Sequence, residues 1–253
     1  MVLFEGKQIA RVDGKRISVN YLEGDFGRDC FEEYQRLVAA EYDSNEVLRV
    51  AFRFDETPSD HDMPLVKGSN PRINILMNKI LSEKGVRVAT PADAEAVINS
   101  GVLDLREKYV YTALAIRNDE EDPNNYDSLI FLMNNLKERN ISYKFPFIIP
   151  LSDLELIARE NSKDGVVSRL KESSEVIYSP QISDEYDGDT FTKTDNYGLP
   201  IFDENGSRTI YPLEDHYGLS ALGIDKELDL VFDGGSLTGA GDAGSIIVVK
   251  EEN

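Results

Sequence analysis

The sequence predicts an α/β to α+β fold, with a mixed sheet and helices in a central region, an N-terminal β-meander and a C-terminal β-rich segment. Three observations support this. Residues 47–178 alternate strand and helix patterns. Residues 109–116 are apolar or aromatic on both alternating faces apart from Thr112, as in a strand covered on two sides. From residue 181 onward, short β segments are separated by Gly, Asp and Asn. The implied organisation is a meander packed on the core (1–22), a central α/β domain (23–180) and an acidic β-rich region (181–253).

In chain order, residues 2–4, 8–12 and 16–22 read as the meander strands, with Asp13-Gly14 as a hairpin turn. A helix is expected with Asp29 as N-cap and Glu32 three residues on, presenting Phe31, Tyr34, Val38 and Tyr42. Residues 48–54 alternate as a strand with one wet face, and 55–69 read as a long loop. Asn70 then caps a helix with Pro71 at its first position. Its stripe is Ile73, Leu76, Met77, Ile80 and Leu81, and Gly85 ends it. A short strand at 86–88 precedes a helix opened by Thr90-Pro91 and closed by Gly101.

After the strand at 109–116 comes an acidic loop, then a helix with Leu129, Leu132, Met133 and Leu136 on its core face. Asn140 is its left-handed cap. Residues 141–149 alternate as a strand, with Pro146 near an edge or a strand end. Ser152 and Glu155 have the spacing of a capping box, which predicts a helix to about 161, with a second helical piece at 166–171. Residues 176–178 form a strand. Residues 198–202 and 207–211 form a hairpin around Asn205-Gly206, and 228–232 and 245–249 are the last strands.

The chain has 253 residues and a net charge of −20. That balance argues against nucleic acid and anionic membranes as partners, because both need clustered Lys and Arg. Residues 181–253 hold 16 acids against 4 bases, a net of −12. Such crowding points to relief by cations, high salt or contacts with other chains. The single cysteine, Cys30, excludes an intrachain disulfide and reads as a small buried hydrophobe. No apolar run is long enough for a membrane span, and the N-terminus lacks a signal-peptide layout, so a cytoplasmic or virion location is expected.

Candidate sites are few. Asp55, Asp60, Asp62, Glu120 and Asp122 lie in two acidic loops. If the sheet is parallel there, the loops meet at the carboxyl ends of strands and suit a hard cation such as Mg²⁺ or Ca²⁺. Asp184, Asp187 and Asp189 resemble a calcium loop in composition, although Gly188 does not fit the spacing. His61 and His216 each sit beside an aspartate. Residues 239–244 match G-x-G-x-x-G and resemble the Gly-Ala-Gly-Asp signature of ribokinase-like sugar kinases. In that family the aspartate is the catalytic base and a helix follows to bind phosphate. A strand pattern follows here, which fits a glycine-rich hairpin loop. Residues 52–57 resemble haloacid-dehalogenase-like phosphotransferases, but position 57 is Thr where a second Asp belongs.

No catalytic constellation and no required cofactor emerge. The expected function is a structural subunit of a larger homo-oligomeric particle, of the kind a virus or phage builds. Its partners would be itself and other assembly proteins, with terminal strands adding to a neighbour's sheet. The alternative is a Mg²⁺- or Ca²⁺-assisted enzyme acting on a small phosphorylated ligand.

Overall fold

In the computed structural model, the described residues are 2–42, 45, 48–49, 52–58, 63–119, 126–174, 176–211, 218–233, 237–239 and 241–252. They form two larger sheets, two hairpins and four α-helices, a mixed α/β to α+β arrangement. The strands are β1 (Lys7–Ala10), β2 (Arg16–Tyr21), β3 (Arg53–Pro58), β4 (Pro64–Lys67), β5 (Arg87–Val88), β6 (Val110–Ile116), β7 (Phe147–Pro150) and β8 (Leu154–Ala158). They continue as β9 (Val166–Leu170), β10 (Ile177–Tyr178), β11 (Thr190–Thr194), β12 (Pro200–Phe202), β13 (Arg208–Tyr211), β14 (Leu219–Ile224), β15 (Leu230–Asp233) and β16 (Ile247–Glu251). The helices are α1 (Gly24–Glu41), α2 (Pro71–Glu83), α3 (Pro91–Ser100) and α4 (Tyr126–Glu138).

The eight-stranded sheet has the order β10-β7-β6-β14-β15-β13-β11-β12 and curls. Among its described strand pairs, only β13 and β15 run parallel. The four-stranded sheet has the order β1-β2-β16-β5, so the last strand lies between an N-terminal and a central one. Strands from 1–22, 23–180 and 181–253 thus share sheets. Residues 2–4 form no strand, and the third partner of the β1–β2 hairpin is β16.

β6 is covered on both faces, as its pattern predicts. Leu114 and Ile116, with Phe147 and Ile149 of β7, pack against Leu129, Leu132, Met133 and Leu136 of α4. Ala113 and Ala115, with Ile148, face Phe191, Ile210 and Phe232 on the other side. The helix ends follow local chemistry. The Asn70 side chain accepts from the Ile73 N–H at 2.8 Å with Pro71 next, Thr90 and Asp93 form a capping box, and Asn140 takes φ 55° beyond α4.

Several elements differ from expectation. α1 starts at Gly24 with Glu23 as N-cap, not at Asp29, so Phe26 and Cys30 join its buried face. Leu48 and Arg49 have helical backbone, and the strand begins only at Arg53. The predicted loop 55–69 contains most of an antiparallel hairpin, β3–β4. The strand expected over 141–149 is confined to β7 and follows a cis Phe145–Pro146 bond.

The predicted helices at 152–161 and 166–171 are instead the hairpin β8–β9. There Leu154 and Leu156 are buried while Glu155 and Ile157 are half-buried, a period of two that outweighs the capping-box spacing. Glu155 pairs across the hairpin with Arg169 at 2.8 Å and does not cap a helix. The predicted pairing of 198–202 with 207–211 does not form, because β11 sits between β12 and β13.

Candidate functional site

Of the first acidic set, Asp60, Asp62, Glu120 and Asp122 lie outside the described residues, as do His61 and His216. Asp55 is on β3. It accepts the Thr57 hydroxyl and pairs with Lys67 at 2.9 Å, and these contacts hold its carboxyl well below the usual carboxylate range. β3 belongs to a separate antiparallel hairpin, and β6 runs antiparallel to both neighbours. The parallel-strand geometry expected for the two loops is therefore absent.

Asp184 begins a 3₁₀ turn, Asp184–Tyr186, and pairs with Arg117 at 2.7 Å. Asp187 and Asp189 are exposed, and the backbone between them turns through Gly188 at φ 80°. Among the described residues, no group of three or more His, Cys, Asp or Glu converges on a point that could hold a metal ion. Cys30 is buried, and burial pushes its thiol up to about 12.

The glycine-rich run is a junction and not the expected hairpin loop, because β15 before it and β16 after it lie in different sheets. The Gly68 N–H donates to the Gly244 carbonyl at 3.0 Å, and the Tyr109 N–H donates to the Ala243 carbonyl at 2.9 Å. A side chain at Gly244 would meet the Ser69 backbone. β16 follows and no helix does, while Asp242 pairs with Arg53 at 3.2 Å.

Four acids of the final third accept backbone N–H groups. The Asp195 carboxylate accepts the N–H groups of Tyr197 and Leu199 at 2.8 and 3.0 Å. Asp225 does the same for Glu227 and Asp229 at 3.0 and 2.9 Å. Asp203 accepts the Asn205 N–H at 3.1 Å, and Asp229 the Thr209 N–H at 2.6 Å. Asp195, Asp203 and Asp225 thus serve Asx-type turns in a β-rich segment.

Charged side chains also cross-link the interior. Arg208 clamps Glu95 in a two-pronged pair, with its Nη2 2.9 Å from Glu95 Oε1. Arg72, wholly buried at the start of α2, donates to Ser128 and Ser168 at 2.6 and 2.8 Å and reaches Asp164 at 3.4 Å. Arg87 and Arg11 both reach Asp93. Burial alone would raise the Asp93 carboxyl, but Arg87 and the Thr90 cap overcome it and leave its pKa below the ordinary value.

A depressed carboxylate stabilises the fold above its unfolded pKa and loses that contribution as pH falls through the folded one. Asp93→Asn is therefore expected to destabilise by about 3 kcal/mol near neutrality. Below about pH 4 the gap to the wild type should narrow, which urea melts across pH would show.

Two surfaces stand out. On the α4 side, Phe131, Asn134, Asn135, Glu138, Arg159 and Arg169 line a groove of about 340 Å³ between α4 and the β8–β9 hairpin. The Arg159 guanidinium lies 5.1 Å over the Phe131 ring. Arg139 fixes the groove's end by donating to the carbonyls of Leu170, Lys171 and Glu172. Residues 126–172 balance 7 acids with 7 bases.

Elsewhere, edge strand β12 ends in an exposed corner of Ile201, Asp203 and Glu204, with Ile201 53% exposed. The sequence reading missed both surfaces. Their residues are far apart in the chain, and the groove depends on β9, which was read as helix. A second groove of about 310 Å³ runs between α1 and the segment at Leu48 and Phe52, floored by Phe31 and Tyr34. Comparison with family models, curated proteins and solved structures finds no match for this chain.

Proposed function

We propose that the chain is a structural subunit of a homo-oligomeric particle, of the kind assembled by a virus or phage, with other copies of itself and further assembly proteins as partners. The observation that carries this reading is the uneven distribution of charge along the chain. Residues 126–172, which form α4 and β8–β9, are neutral overall, whereas residues 181–253, which supply strands to both larger sheets, carry a net −12. Identical copies can bring unlike faces together, and electrostatic complementarity then sets orientation and register.

Strand addition is not the route. The edge strands of the two larger sheets run from two to four residues, with Lys7 on one and Pro200 on another, and such features blunt edge pairing. Contact through side chains replaces it. Sedimentation velocity at micromolar concentrations and physiological salt tests the reading. A mass several times 28.4 kDa is expected, and a single 28.4 kDa species at every concentration would refute it.

A further inference from the structure

We infer that the contact between copies is head-to-tail: the Ile201–Glu204 corner of one copy seats in the α4/β8–β9 groove of the next. This rests on the assembly reading above. The groove offers a flat aromatic ring, an arginine stacked upon it and the exposed amide of Asn134. Arg159 has no carboxylate partner among the described residues, whereas Arg169 is held by Glu155. A guanidinium presented on a ring is suited to a carboxylate with an adjoining apolar group.

The corner carries that pair of features. Glu204 is exposed, and Ile201, three residues earlier on edge strand β12, is exposed as well. Asp203 holds the turn through the Asn205 N–H, and the Gly206 N–H donates to the Asp203 carbonyl at 2.8 Å, so the corner is preorganised. Groove and corner share no residue and lie on different elements, the groove on α4 and β8–β9 and the corner at the end of β12. One copy can therefore use both at once, and the contact is heterologous, closing into a ring or extending as a filament.

The test uses two full-length variants, Arg159→Glu in the groove and Ile201→Ser/Glu204→Gln at the corner. Each is expected to sediment at 28.4 kDa with an unchanged far-UV circular dichroism spectrum, under conditions where the wild type is assembled. Arg159→Gln, which adds no charge, is expected to weaken association more than tenfold in the same direction. An equimolar mixture of the two disabled variants retains one intact groove and one intact corner per pair. It should form a two-chain species and nothing larger. If the variants keep the wild-type mass, this contact is wrong while the assembly reading stands. If the mixture stays monomeric, the contact is not heterologous. A wild type that never exceeds one chain removes both proposals.

Discussion

Replacing Arg208 by alanine is expected to destabilise the protein by about 4 kcal/mol, because breaking a buried ion pair leaves an uncompensated charge. Arg208 and Glu95 are 7% and 2% exposed. Arg208 also donates from Nε to the Leu228 carbonyl at 2.5 Å, and its guanidinium lies 4.6 Å over the Phe191 ring. One side chain thus ties α3 to β13, to the β14–β15 turn and to the core of the eight-stranded sheet. Its loss strands the Glu95 carboxylate, which burial already pushes toward protonation. In a chain of this length that cost corresponds to a fall in Tm of about 10 °C. The double variant Glu95→Leu/Arg208→Met should be much less destabilised than Arg208→Ala, since an apolar pair of similar volume carries no desolvation cost. Equal losses in thermal melts would show that packing, and not the stranded charge, dominates.

Gly198→Ala is expected to cost about 3 kcal/mol or more, several times the effect of Gly14→Ala. Both glycines have φ 81°, so the backbone strain of adding a Cβ is matched. Around Gly14 nothing lies within 4 Å of the added carbon. At Gly198 that carbon would overlap the backbone of Pro91 and Ala92 at the start of α3. The Asp195 turn is therefore docked against a helix, and the substitution must move one or the other. Urea denaturation of the two variants side by side isolates the packing part. Similar losses would mean that the turn is not docked as described.

What could be read from the sequence divides along one physical line. α2 and α3 were legible because their caps are local: Asn70 with Ile73, and Thr90 with Asp93, lie within three residues of each other. The double coverage of β6 was legible because it is a property of the strand's own alternation. β8–β9 was not, because the Ser152 and Glu155 spacing imitates a helix start while the deciding partner, Arg169, lies 14 residues further on. β14 was missed for a related reason. Its Ala and Gly are poor strand formers, and a glycine suits position 223 because a side chain there would crowd the Val110 carbonyl and the Tyr111 ring.

The acidity of the final third showed plainly as a number but not in its role. The turns around Asp195, Asp203 and Asp225 show three of those carboxylates accepting backbone N–H groups. The groove on α4 could not be read at all, since Phe131, Arg159 and Arg169 meet only once β8 and β9 are paired.

The most direct test of the assembly reading is the native mass of the wild-type protein across ionic strength. A net charge of −20 repels copies strongly when the screening length is about 30 Å, at about 0.01 M salt. At about 0.15 M that repulsion is screened beyond about 8 Å, and a close contact between guanidinium and carboxylate can prevail. At about 1 M the close contact is itself weakened, because screening reaches about 3 Å. Light scattering should therefore find the highest mass near physiological salt, falling toward 28.4 kDa on either side. A mass of 28.4 kDa throughout would contradict assembly, and a mass that only rises with salt would contradict a charged contact.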